Sequence, residues 1–231
     1  MTATYDDIRK ALLDAALPHV PFDGWTETTF KAAIADTGTD AALARAICPR
    51  GAVDLALAAH ARGDRAMLEK IAATDMTGMR FRDKVASAVR WRIEAAGDRE
   101  VVRRASTLFA LPMHAADGAR AIWQTCDAIW TALGDTAEDY NWYTKRASLA
   151  AVYTSTLLYW LGDTSEGNTA TWDFLDRRIE NVMQIEKLKA DANANPVLKP
   201  MLALPNWLLG QIRAPRPDHL RDFPGRTGPR P

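Results

Sequence analysis

Proline is confined almost wholly to one end of this chain, and that distribution leaves little but helix for the rest. Of twelve prolines in 231 residues, only Pro18, Pro21, Pro49 and Pro112 precede residue 196; the last 36 residues hold the other eight. Up to Lys189 the sequence is rich in Ala, Leu, Arg and Glu and shows little of the alternation of a strand, so it reads as all-helical. Thr26 and Thr39 stand as N-caps around a C′ glycine, Gly38, and further punctuation falls at Pro49-Arg50-Gly51, Gly78, Gly97, Pro112, Gly134 and Gly162. These marks divide the run into roughly nine helices. At ~150 residues per domain the chain is one large domain or one and a half, large enough to fold without staples. Cys48 and Cys126 form no CxxC pair and are expected as buried free thiols in a reducing compartment.

Charge narrows the function classes. Twenty-nine Lys and Arg balance 29 Asp and Glu, which excludes a chain-wide attraction to nucleic acid. Helices over 5–17, 26–37 and 40–47, with the tight Gly38 turn, have the outline of a helix-turn-helix. Yet residues 1–60 carry five basic side chains (Arg9, Lys10, Lys31, Arg45, Arg50) against eight acids, a net −3, where a phosphate-facing module needs a basic stripe. The 40–47 helix offers one Arg and mostly alanine, with no Asn, Gln or Lys for base edges. The opening MTATYDDIRKALLDAAL has two early acids and no apolar stretch, so no secretory signal or transit peptide is expected. The longest uncharged run, Ala147 to Gly162, has 16 residues, short of the ~20 a spanning helix needs. The expectation is a soluble chain, or one that lies on a membrane without crossing it.

No enzyme chemistry is legible. The four histidines sit apart; His60 has Asp64 one turn on and His114 has Asp117, but neither pair has a third ligand, and such helix pairs read as solvated faces. No phosphate loop, nucleophile elbow or dinucleotide fingerprint occurs. Asp135 and Asp163 each follow a glycine, where they cap helices or close turns. No catalytic residue, metal or cofactor is expected.

The informative stretch is residues 125–189. A helix over 141–161 is apolar on every side, and the next, over 169–189, carries a stripe of Trp172, Leu175, Ile179, Val182 and Met183. Doubled by a two-fold axis, these helices would form a four-helix bundle and a homodimer; the alternative is a monomer whose 141–161 helix is central. Val85, Val89, Leu108, Leu111, Ile122, Trp123, Cys126 and Trp130 recur at helical spacing and predict the walls of an apolar cavity, with a filled core as the alternative. In PVLKPMLALPNWLLGQIR (196–213) the prolines forbid one long helix. Leu202, Leu204, Trp207, Leu208, Ile212 and Arg213 then predict contact with an anionic membrane surface, Trp and Arg sitting at headgroup level; folding back on the protein is the alternative. Beyond 213 the Pro/Arg/Gly-rich tail reads as disordered.

Several blocks carry a family resemblance. Ala16-Leu17-Pro18-His19-Val20-Pro21-Phe22-Asp23-Gly24-Trp25-Thr26, Phe109-Ala110-Leu111-Pro112, and Asp127…Trp130…Gly134-Asp135…Asp139-Tyr140-Asn141-Trp142-Tyr143-Thr144-Lys145-Arg146-Ala147 are three of them. Val152-Tyr153…Thr156, Asp163-Thr164-Ser165 and Phe174-Leu175-Asp176-Arg177-Arg178-Ile179 are the others. Over about residues 8–190 the chain resembles the ubiquinone-biosynthesis accessory proteins of the Coq-nine family, and the Asn-Trp-Tyr-Thr-Lys-Arg block is specific. The resemblance implies a fold similar to the tetracycline-repressor (TetR) regulators with DNA binding lost. It further implies a dimer through the last two core helices, an apolar pocket for isoprenoid lipids, and partnership with the di-iron demethoxyubiquinone hydroxylase. The absence of a presequence makes the chain similar to bacterial members.

Residues and resemblance together predict an all-α, TetR-like chain. Its parts are a degenerate helix-turn-helix region (1–50), a lipid-binding and dimerisation domain (51–190), a membrane-contact segment (191–213) and a tail (214–231). The function expected is a non-enzymatic carrier of an isoprenoid quinone precursor, cytoplasmic and peripheral to the inner membrane, that presents the lipid to the hydroxylase. Asp139, Asn141, Trp142, Tyr143, Lys145 and Arg146 are the expected partner-binding residues, since Trp, Tyr and Arg dominate such contacts; packing of both rings against Trp130 is the alternative. Competing functions are a TetR-like regulator responding to an apolar ligand and an enzyme acting on an apolar substrate.

Overall fold

The computed structural model describes residues 4–194, with side chains over 4–184. The six membrane-contact residues Leu202, Leu204, Trp207, Leu208, Ile212 and Arg213, and the 214–231 tail, lie outside the described residues. No strand occurs among the described residues. The helices are α1 (Tyr5–Ala16), α2 (Val20–Asp23), α3 (Glu27–Thr37), α4 (Ala41–Ile47), α5 (Ala52–Ala73), α6 (Phe81–Glu94), α7 (Arg99–Ala110), α8 (Ala115–Ala132), α9 (Tyr140–Gly162) and α10 (Thr169–Ala194). The helix that punctuation does not announce is α2, a single turn with Pro21 in its first positions, where a fixed φ and a missing N–H cost nothing.

Side-chain caps set the starts of α1, α3, α4, α7 and α9. Thr4 and Asp7 close a reciprocal capping box on α1. The Thr26 side chain caps α3, and Gly38 ends it in the left-handed conformation at φ 62°. The next cap is Asp40, whose Oδ1 accepts from Leu43 N at 2.9 Å, and not Thr39 as the spacing suggests. The backbone N–H of Thr39 is instead held by the Thr37 hydroxyl. Asp163 follows α9 and accepts from Ser165 N at 2.8 Å, Thr171 N at 3.0 Å and Thr171 Oγ1 at 2.5 Å. These hydrogen bonds hold its carboxyl well below the usual carboxylate range and lock the turn into α10.

Two cores share one rod. The first gathers Leu12, Leu13, Val20, Trp25, Phe30, Ala33 and Ile47 with Leu55 of α5 and Val101 of α7. The second gathers Met67 and Ile71 of α5 with Val89, Ile93, Cys126, Ile129, Leu149, Tyr153, Trp160 and Leu175. Helix α5 has 22 residues, about 33 Å at 1.5 Å per residue, and its two halves serve different cores. Both cysteines are buried and free. Helix α9 buries Leu149, Val152, Tyr153, Thr156 and Trp160 but leaves Leu158 57% and Tyr159 40% exposed. The Tyr159 ring stacks on Phe174 of α10 at 4.6 Å between centroids.

Between the cores lies a polar knot. His60 and Asp64 on α5 do not form the solvated pair that their spacing suggests; both side chains are largely buried. Arg92 of α6 is 2% exposed; its Nε donates to Asp64 Oδ1 at 2.5 Å and its Nη2 to the His60 carbonyl at 3.0 Å. The Thr125 hydroxyl donates to Asp64 Oδ1 at 2.8 Å and lies 2.8 Å from His60 Nε2. Gly63 makes room for the arginine, since a β-carbon there would stand 2.6 Å from Arg92 Nη1. Burial, joined by the Arg92 charge, pushes the His60 imidazole down to about 4.

A pH dependence follows. The unfolded chain takes up a proton at His60 near the ordinary value of about 6.5, whereas the folded chain resists until about pH 4. Stability is therefore lost as pH falls between these values, by about 3 kcal/mol at most from this group. His60→Gln is expected to flatten the fall of Tm between pH 7 and 4.5, measured by circular dichroism. An unchanged slope would show that His60 does not carry it.

Candidate functional site

An apolar cavity of about 360 Å³ opens among α5, α7, α8 and α9, beside the polar knot, within the size range of small-molecule sites. Small side chains create it: Ala56, Ala59, Ala105, Ala119 and Ala121 stand where larger residues would fill the gap. Trp25, Val101, Phe109, Ile122, Tyr153 and Leu157 supply the bulkier walls, and His60 and Arg92 form one polar end. Beside it α7 and α8 meet closely, for a β-carbon on Gly118 would lie 2.7 Å from Phe109 Cβ.

The eight residues expected to line a cavity are not brought together. Ile122 lines the large cavity. Val85 and Trp130 line a second one, of about 230 Å³, with Phe81, Leu149 and Ile179. Val89 and Cys126 are fully buried in the second core; burial pushes the Cys126 thiol up to about 12, so it is a packing group and not a nucleophile. Leu108 packs on the first core, and Leu111, the C-cap of α7, is exposed. Trp123 is half-buried and faces Trp142 and Tyr143 at 5.7 and 6.3 Å between ring centroids.

That contact belongs to an aromatic patch at the start of α9. Asp139 caps the helix by accepting from Asn141 N and Nδ2, each at 2.9 Å. The Trp142 and Tyr143 rings meet edge to face at 4.7 Å, with Tyr143 37% exposed. Trp130 stacks with Phe81 and donates its Nε1–H to the Lys145 carbonyl. Arg146 lies beneath the patch, buried. Its Nε bonds Asp127 Oδ1 at 2.6 Å, its Nη1 bonds Asp135 Oδ2 at 3.1 Å, and its guanidinium sits 4.0 Å from the Trp142 centroid. Asp135, expected to close a turn, is thus the buried counter-charge of both Arg146 and Lys145. Burial would raise its carboxyl, but the bonds from Lys145 and Arg146 outweigh that and hold it below the usual range.

At the other end of the molecule, the arginines of the helix-turn-helix region are ion-paired, Arg9 with Asp6 among them, while Lys10 and Lys31 are exposed. Arg45 pairs with Glu27, and Arg50 with Asp54 and Asp117. Among the described residues no group of three or more His, Cys, Asp or Glu is placed to hold a metal ion, and no helix is long and apolar enough to cross a membrane.

Residues 115–186, which contain α8, α9 and most of α10, match the COQ9 family. Over 193 residues the chain is 32% identical to the Drosophila melanogaster mitochondrial ubiquinone biosynthesis protein COQ9, covering 80% of this chain and 58% of that protein. The Dictyostelium discoideum probable ubiquinone biosynthesis protein coq9 is 26% identical (80% and 62% covered), and the human COQ9 27% (78% and 59%). The chain therefore spans about three fifths of the length of the curated relatives it matches. In structure it is similar to a TetR transcriptional regulator from Nitrosomonas europaea ATCC 19718, with a TM-score of 0.62 at 18% identity over 75% of this chain and 96% of that one. At that identity the similarity speaks for the fold alone. Over about four fifths of its length the chain is thus similar to the COQ9 proteins, with the family model matching residues 115–186, and its fold is all-α and TetR-like.

Proposed function

We propose that this chain is a non-enzymatic accessory protein of ubiquinone biosynthesis, which holds an isoprenoid quinone precursor and presents it to demethoxyubiquinone hydroxylase at a membrane. The observation that carries the reading is the alanine-walled apolar cavity among α5, α7, α8 and α9. It fits a ring with the first part of an apolar tail. The names of the COQ9 relatives supply the pathway. The net negative N-terminal region, with Arg45 and Arg50 already paired, speaks against a TetR-like regulator, because phosphate binding needs free cations.

In this reading Trp123, Trp142 and Tyr143 meet the hydroxylase, Asp139 and Asn141 set the start of α9, and Asp135, Lys145 and Arg146 hold the patch from beneath. Leu158, Tyr159 and Met183, apolar and exposed on α9 and α10, support a homodimer joined through those helices. The 196–213 segment is assigned to the anionic membrane surface on its sequence alone.

Two measurements test this function. Mass spectrometry of an organic extract of the protein, expressed in a ubiquinone-making host, is expected to find a prenylated quinone or precursor; an extract empty of lipid sinks the carrier role. Trp142→Ala and Tyr143→Ala are each expected to lose co-purification of the hydroxylase while Tm stays within a few degrees. Loss of fold and binding together would make the rings core residues and remove the proposed contact.

A further inference from the structure

The polar end of the large cavity has donors to spare. Arg92 satisfies Asp64 through Nε and the His60 carbonyl through Nη2, while its Nη1 has no hydrogen-bond partner among the described residues. The Tyr153 hydroxyl is likewise unpartnered among the described residues, although Tyr153 is 1% exposed. Both residues line the cavity, and the Arg92 guanidinium carbon lies 5.7 Å from the Tyr153 ring centroid. Neither donor is sealed in protein, Arg178 Nε being the buried side-chain polar atom without a partner among the described residues, so both stay open to an acceptor that enters the cavity. Burial pushes the Tyr153 phenol up from its ordinary range, which keeps the hydroxyl protonated and a donor.

Charge then selects among acceptors. Arg92 is already neutralised by Asp64, 2.5 Å away, and His60 is held neutral at physiological pH. A carboxylate entering this end would be a buried charge without a counter-charge, at a cost of several kcal/mol. A neutral carbonyl or phenolic oxygen bears no such cost.

We infer that Tyr153 and Arg92 form a headgroup seat that binds the neutral, acceptor-bearing ring of an apolar ligand, so that the cavity discriminates oxygenated rings from both plain hydrocarbons and fatty acids. This rests on the lipid-cavity reading above and adds which end the ring occupies and which lipids are refused. Tyr153→Phe isolates the claim, because it removes a hydroxyl that bonds nothing in the described protein and leaves the ring packing intact.

The experiment is calorimetric titration of the full chain with three probes: a benzoquinone bearing one short isoprenoid chain, the hydrocarbon of the same chain, and palmitate. The quinone is expected to bind about tenfold more tightly than the hydrocarbon, the size of one net hydrogen bond, and palmitate no better than the hydrocarbon. In Tyr153→Phe the quinone is expected to fall to within about twofold of the hydrocarbon, with hydrocarbon affinity and Tm unchanged. Equal binding of quinone and hydrocarbon by the unmutated chain, full quinone affinity in Tyr153→Phe, or tightest binding of palmitate each overturns the seat while leaving the lipid cavity standing. Binding of none of the three overturns both.

Discussion

A guanidinium cannot sit inside a helical bundle unless its charge and most of its donors are met within a few ångströms. Arg92, on α6, is so placed. Asp64 and the His60 carbonyl reach it from α5, Thr125 of α8 braces Asp64 in turn, and the missing side chain of Gly63 lets the arginine lie against the α5 backbone. Remove the charge and the spacing of α5, α6 and α8 has no reason to be what it is. The same constraint shapes the cavity, since a helix pair held apart by an ion pair and faced with alanine cannot close over the space beside it.

What the sequence discloses and what it hides divide along one line. Thr26, Gly38 and Asp139 act on neighbours within four residues, and their caps are legible because cause and effect share one stretch of chain. The helices over 141–161 and 169–189 are legible for the same reason, through apolar content and periodicity. Arg92 is not. In Ala-Val-Arg-Trp-Arg-Ile nothing separates it from the exposed Arg90 two residues earlier, and its partner Asp64 lies 28 residues away. Bulky residues at helical spacing predict cavity walls, but Val89 and Cys126 do what bulky or soft residues do, which is to fill. Space is left by small ones. Alanines at helical spacing look the same in sequence whether a neighbouring helix fits against them or stands off.

The block at the start of α9 holds two kinds of residue with different duties. Asp135 and Arg146 face inward and neutralise each other, with Lys145 and Asp127 at the edge. Trp142 and Tyr143 stand above them, joined by Trp123 from α8. An aromatic pair fixed on a buried cation is a rigid surface, one that gives up little side-chain freedom when something docks on it. The sequence groups Trp142, Tyr143, Lys145 and Arg146 together as contact residues, because proximity in the chain says nothing of which side of the helix is roofed. The arginine's role is legible only once Asp127 and Asp135, 19 and 11 residues away, are seen to converge on it.

Helix α5 has a consequence for how the molecule comes apart. Its first turns belong to the core built by α1, α3 and α4, and its last turns to the core built by α6, α8 and α9. A domain boundary drawn at residue 50 therefore separates helices but not cores. Cutting there would strip the N-terminal helices of Leu55 and Val101 and leave their apolar faces in water. The rod ties both cores to one helix, so loss of either core is expected to weaken the other.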